Sequence, residues 1–219
     1  MVLAALAVLA VMQAAPSAQD TPIPPLMRKP QPRGRPQAWI TDDDYPSGAL
    51  RRREFGAVKF RLAVDALGKP TICSVTGSSG YSALDDKVCE MLLKRSVFNP
   101  ARDGAGKDIP FDYNGTFTWI LPGGTDTPNP VSAIASTPID LRVELQAVPQ
   151  NYAKPALLRL IFADDKVRAC TVETSTGNAK LDAVACQQAR VQVEMFKIDG
   201  AIIAKPDSRM VSVRFEAAK

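Results

Sequence analysis

Four cysteines constrain this chain more than any other feature. Cys73 and Cys89 are 16 residues apart, and so are Cys170 and Cys186. Their surroundings repeat with them. Cys73-Ser-Val75, Ser78-Ser79-Gly80 and Leu84-Asp85 align without a gap, at an offset of 97, on Cys170-Thr-Val172, Ser175-Thr176-Gly177 and Leu181-Asp182. Upstream, Arg61-Leu62 aligns with Arg159-Leu160 after a one-residue deletion; downstream, Asp103-Gly104 corresponds approximately to Asp199-Gly200. The pattern reads as a tandem duplication whose copies are joined by a Gly/Pro/Thr-rich linker, 122–138. A length of 219 residues accommodates two small domains.

Both halves show the same order of elements. In the first, Val58, Phe60, Leu62 and Val64 alternate with polar residues, the mark of a half-buried strand. A turn at Asp65 to Lys69 leads into a second strand, Pro70 to Val75. Ser82, with Asp85 three residues on, is the expected N-cap of a helix running to about Ser96, where Asn99-Pro100 bars continuation. A third strand follows over Phe111 to Ile120, with Phe111, Tyr113, Gly115, Phe117 and Trp119 on one side. The second half repeats this as strand Ala156 to Phe162, turn Asp164-Asp165, strand Val167 to Glu173, helix Asn178 to Gln192 and strand Met210 to Glu216. The expected class is α+β, each domain a β-β-α-β unit with one helix on a three-stranded antiparallel sheet. Ala183, Ala185 and Ala189 stand where the first helix is bulkier, so the second core is expected to be smaller.

Composition narrows the function. With 46% hydrophobic and 23% charged residues the chain is globular. Its net charge of +4 is spread over both halves, which argues against nucleic acid as a partner. It has no histidine, so no Ser-His-Asp or Cys-His triad and no His-ligated zinc can be built. No enzyme and no cofactor are expected. Val2 to Met12 is an unbroken apolar run followed by small residues to Ala18. It is too short to span a bilayer and right for the hydrophobic part of a signal peptide. Residues 1–18 are therefore expected to be a signal peptide directing export to the periplasm, or else a short anchor holding the protein at the inner membrane facing the periplasm. Six prolines between Pro22 and Pro36 mark 19–44 as an extended tether.

In an exported chain, four cysteines read as two disulfides. Three connectivities exist. The duplication favours Cys73–Cys89 and Cys170–Cys186, each tying a second strand to its helix. Each bond would contribute ~3 kcal/mol in the chain-entropy model. Spacings of 16 do not suit a zinc site, and no C-x-x-C redox pair is present.

The first half resembles a known family. Tyr45-Pro46, Ala49, Gly56-Ala57-Val58, Val64-Asp65, Gly68, Val75, Ser78-Ser79-Gly80, Leu84-Asp85, Phe98-Asn99-Pro100-Ala101 and Gly104 follow the order and spacing of the TonB C-terminal domain across 45–121. The second half, 139–219, is similar only through the first. It lacks the Tyr-Pro opening and the Phe-x-Pro-Ala, and carries Thr176 for the second serine. The resemblance implies a binding module that adds a partner peptide as one more strand. The edge it implies is the strand after the helix: Phe111, Asp112, Tyr113, Asn114, Gly115, Thr116, Phe117, Thr118 and Trp119. Its alternate aromatics are expected to face the core, which leaves the backbone edge for the partner. The implied partner is an outer-membrane receptor peptide or another envelope protein, and the implied role is support of energy-coupled transport across the outer membrane. A full transducer carries an anchor histidine and a long linker, so this chain points to a shorter accessory protein, or one acting near the inner membrane. The inner-membrane motor is not an expected partner if 1–18 are cleaved. The alternative is a periplasmic scaffold that binds cell-wall material or self-associates as a homo-oligomer.

Other candidates have plainer readings. Asp42-Asp43-Asp44 is read as a solvated acidic turn rather than a cation site. Arg51-Arg52-Arg53 is read as a solvated face that can steer partners. Asp85-Asp86 sits at a helix N-terminus, where carboxylates complement the macrodipole. Gly77 to Gly80 lacks the Gly-Lys-Ser/Thr of a phosphate loop.

Overall fold

The computed structural model describes residues 28–124, 130–164, 166–193 and 206–218. The expected signal segment 1–18, the start of the tether, and Asp199-Gly200 lie outside them.

The first half is built on β1 (Gly56–Val64), β2 (Pro70–Gly77), α1 (Ser82–Arg95) and β3 (Phe111–Trp119). The sheet order is β2-β1-β3, antiparallel throughout. The β1–β2 turn is held by Asp65, whose carboxylate accepts from the amides of Leu67 and Lys69, each at 2.9 Å. Leu84, Val88, Met91 and Leu92 bury the inner stripe of α1 against Val58, Phe60, Leu62, Val64 and Val75 of the sheet.

The segment 28–44, expected as part of a tether, is docked on this unit. Gln31–Pro32 pairs with Phe98–Asn99. Trp39 and Ile40 are buried, and the Trp39 ring lies 5.2 Å from Phe98. Prolines bar this stretch from a helix or a central strand but not from a short edge pairing, and its two large apolar residues pull it onto the core. Asp44 holds it there through a bidentate pair with Arg95, at 2.6 and 2.9 Å.

The second half follows a six-residue helix, α2 (Pro130–Ala135). It comprises β4 (Ile139–Leu145), β5 (Ala156–Ala163), β6 (Lys166–Thr174), α3 (Ala179–Gln192) and β7 (Ser208–Ala217). Asn178 caps α3, its side chain accepting from the amides of Lys180 and Leu181. The sheet order is β6-β5-β7-β4. It has four strands, not the three expected, and β4 runs parallel to β7. Ile139, Leu141, Val143 and Leu145 supply the alternating apolar face of this additional strand. This core is the smaller one among the described residues, with Ala156, Ala185 and Ala189 at buried positions.

The halves are not separate beads. Met210 of β7 and Val131 of α2 lie in the first core. Ser132 Oγ donates to the Ala57 carbonyl and accepts from the Ala57 amide. Gly80 has φ +96°, and its carbonyl accepts from the amides of Asp207 and Ser208. A Cβ there would come within 2.5 Å of Val131, so glycine is required both by conformation and by space. The stretch 130–138, expected as linker, thus contributes a packed helix.

Candidate functional site

Several residues that carried the family resemblance have structural roles. Asp85 draws the Ser78-Ser79-Gly80 loop onto the start of α1: its carboxylate accepts from Ser78 Oγ at 2.6 Å and from both the amide and the hydroxyl of Ser79 at 2.8 Å. Asp182 holds Ser175 and Thr176 the same way, at 2.6, 2.8 and 2.7 Å. The cap differs from the one expected. Tyr81 is the N-cap of α1 and makes no side-chain cap, while Ser82 gives its amide and hydroxyl to Asp207 at 2.7 and 3.0 Å. Tyr45 packs on Trp119 at 4.9 Å, and its hydroxyl donates to the Glu54 carbonyl. The acidic run folds as a short turn in which Asp44 caps Thr41 and pairs with Arg95. Arg52 of the basic run pairs with Glu54. Both disulfides are present as Cys73–Cys89 and Cys170–Cys186.

What stays open is the edge of β3. It is the last strand of its sheet, and among the described residues no strand pairs with its outer side. Asp112, Asn114, Thr116 and Thr118 are exposed, whereas Phe111, Tyr113 and Phe117 are half-buried against the core. Gly115 faces Phe60 of β1, where a Cβ would stand 2.5 Å from the ring. A cleft of about 110 Å³ lies beside it, walled by Trp39, Ile40, Phe60, Leu92, Tyr113 and Phe117. Backbone donors and acceptors beside an apolar pocket are what an added strand uses: the ladder supplies affinity and the pocket supplies register.

The inner edges are occupied. β2 faces β6, and the Val75 amide donates to Glu173 Oε2 at 2.9 Å. Behind this contact Arg159 is buried between the halves, 2.8 Å from Glu173, 2.8 Å from Asp86 and 3.8 Å from Asp85. Burial pushes the Asp85 carboxyl up to about 6, against the pull of its hydrogen bonds and of Arg159. At half-exposed Asp182 burial also pulls upward, but the bonds from Ser175 and Thr176 win and its pKa is lowered. Burial opposes the charge on Arg159, yet Asp85, Asp86 and Glu173 together hold its pKa above the ordinary value. Sequence reasoning missed this cluster. The available signal was a single arginine inside the apolar strand Ala156–Ala163.

Residues 42–121 match the family model described as Gram-negative bacterial TonB protein C-terminal. The match supports a TonB C-terminal domain over the first half; the second half lies outside it. Such a domain is periplasmic in Gram-negative bacteria, generally interacts with outer-membrane receptors and suggests a part in TonB-family energy transduction. No curated protein and no solved structure matches the chain. Among the described residues no helix is long and apolar enough to cross a membrane.

Proposed function

We propose that this protein is a periplasmic binding module that takes an extended segment of an outer-membrane receptor or another envelope protein as an extra strand on β3, and so supports energy-coupled transport across the outer membrane. The observation that carries this reading is the unpaired outer edge of Phe111–Trp119 beside the Gly115 cleft, in the half that matches the TonB model. No constellation for chemistry enters it: the role is binding, not catalysis. The second half is a divergent copy of the same unit, fused to the first through α2, Gly80 and the Arg159 cluster. Export through residues 1–18 belongs to the same reading. Hydrogen exchange on the full chain tests it, using synthetic N-terminal segments of outer-membrane receptors as probes. Amides of 111–119 should gain protection while those of β1 stay unchanged. Binding that protects another surface, or none, overturns the reading.

A further inference from the structure

The sheet of the second half has two ends, and only one of them is guarded. At one end β6 is broken by register shifts between Val167 and Ala169 and between Val172 and Thr174, and its Glu173 takes the Val75 amide. Such irregularities keep an edge from pairing. At the other end β4 has none. It pairs with β7 without a shift from Ile139 to Leu145, contains neither proline nor glycine, and among the described residues has no strand on its outer side. The Ala218 amide donates to the Leu145 carbonyl at 2.7 Å, so the odd-numbered residues of β4 turn their backbone groups to β7. Asp140, Arg142 and Glu144 turn theirs outward. On the outer face the register sets like beside like: Arg142 lies next to Arg214 of β7, and Glu144 next to Glu216. None of these four makes an ion pair among the described residues. The edge thus carries a block of two cations beside a block of two anions, and like charges side by side destabilise a sheet.

We infer that β4 is a self-complementary interface: two molecules of this protein join their β4 strands antiparallel about a two-fold axis at Val143, fusing their second-half sheets into one. Charge and shape select this register. In an antiparallel pair the residues that exchange both backbone bonds stand opposite each other. Here they are Arg142 of one molecule with Glu144 of the other, twice over. The Arg142–Arg214 block of each molecule then meets the Glu144–Glu216 block of the second. On the inner face Leu141 falls opposite Leu145 of the second molecule, and both are only half-buried in the single chain. The neighbouring registers fail. An axis at Arg142 sets that arginine on itself and Asp140 on Glu144, like charges throughout. An axis at Leu141 sets Glu144 against Pro138, which has no amide to give. Each molecule spends the same edge on the other, so the assembly closes as a dimer and does not run on as a fibre. The interface lies outside the residues that match the family, 42–121, and uses no residue of β3. It is therefore independent of the docking proposed above.

The test is the mass of the full chain, with both disulfides formed, followed by analytical ultracentrifugation over a concentration series. The parent should show a reversible monomer–dimer equilibrium. Arg142→Glu and Glu144→Arg each turn both interfacial ion pairs into like-charge pairs, so each should weaken dimerisation about tenfold or more. An equal mixture of the two variants should dimerise as the parent does, because every acid of one then faces an arginine of the other. Damage to β4 within a single chain could not produce that rescue. Hydrogen exchange at low and high concentration should show the amides of Arg142 and Glu144 gaining protection on association. A parent that stays monomeric at concentrations on the order of 1 mM would overturn the interface. So would a dimer that Arg142→Glu breaks and Glu144→Arg leaves intact, since that places the axis at Leu141. A dimer indifferent to both variants, with protection gained at 111–119 instead, would mean that the molecules meet through β3, and would overturn it too.

Discussion

At the scale of single residues the decisive choices are a buried cation and an absent side chain. Arg159 is only 8% exposed and compensates two buried carboxylates, Asp85 and Glu173, besides the exposed Asp86. Removing one member of a buried ion cluster strands the others without solvent. Arg159→Met should therefore lower unfolding stability by ~3–5 kcal/mol, read from the denaturant midpoint at unchanged slope. A loss below about 1 kcal/mol would show that the cluster is wetter than its geometry implies. Asp85 itself sets a pH dependence. Its folded-state pKa, about 6, lies above its ordinary 3.8, so the folded state holds the proton more tightly. The stability this gives is fully present below about 3.8 and is lost as pH rises through about 6. Burial raises Glu173 and Asp207 as well, in the same sense. Denaturation midpoints should thus fall between about pH 4 and pH 7, and Asp85→Asn should flatten that slope. Equal slopes in the two proteins would remove Asp85 as the cause. Gly115 works by absence: Gly115→Ala puts a methyl against the Phe60 ring. It should cost ~1–3 kcal/mol of stability by forcing the Phe60 ring, itself a wall of the cleft, to repack.

Among elements, those with their own periodicity were the ones legible in the sequence. The hairpin β1–β2, both long helices and β3 lie within a residue or two of their expected bounds because alternation or helical spacing sets them. Cysteine spacing yielded both disulfides because the equal spacing of 16 chose among the three connectivities. Two further elements escaped that reasoning. β4 carries the alternation Ile139, Leu141, Val143, Leu145, a local strand signal that was passed over; what has no local signal is its parallel pairing with β7. Trp39 and Ile40 follow a proline-rich stretch, and local stiffness says nothing about where two large apolar residues will dock. The edge character of β3 came from family likeness alone, since strand order is a long-range property. The disulfides differ in what they staple. Cys73–Cys89 closes a core that already buries Leu84, Val88, Met91 and Leu92, whereas Cys170–Cys186 closes one filled largely by alanines on its helix. Paired Cys→Ser changes should each cost ~3 kcal/mol by chain entropy. The second core has less hydrophobic reserve, so hydrogen exchange in the Cys170/Cys186 variant should show α3 opening first, while β7, which puts Met210 into the first core, stays protected with β1 and α1. Protection lost first in α1 would overturn this ranking of the two cores.

At the scale of the whole molecule the two halves act as one body. A duplicated domain on a flexible linker would keep each core complete within its own copy. Here the first core includes Met210, contributed by the last strand of the chain, and Val131, contributed by the connection. Gly80 accepts backbone bonds from Asp207 and Ser208, and Ser82 gives both its donors to Asp207. Asp85, which holds the loop that starts α1, has its compensating charge on β5 of the second half. The contact is also one-sided: Asp182, the counterpart of Asp85, is half-exposed and needs no partner across the interface. The second half therefore completes the first far more than the first completes the second, and the edge proposed to carry load belongs to the half that is buttressed. Pulling on a strand added to β3 strains β1 and then β2, and β2 is backed by β6 through Glu173. A fragment ending at residue 124 should consequently express as an unstable or aggregating species, with Met210, Val131 and Arg159 all missing from its core and from Asp85. The same fragment carrying Asp85→Asn should regain part of the loss, because the uncompensated charge is gone. Both fragments are compared with the full chain by thermal melting under oxidising conditions. A truncated first half that melts within a few degrees of the full chain would refute the buttress and leave the halves as independent neighbours.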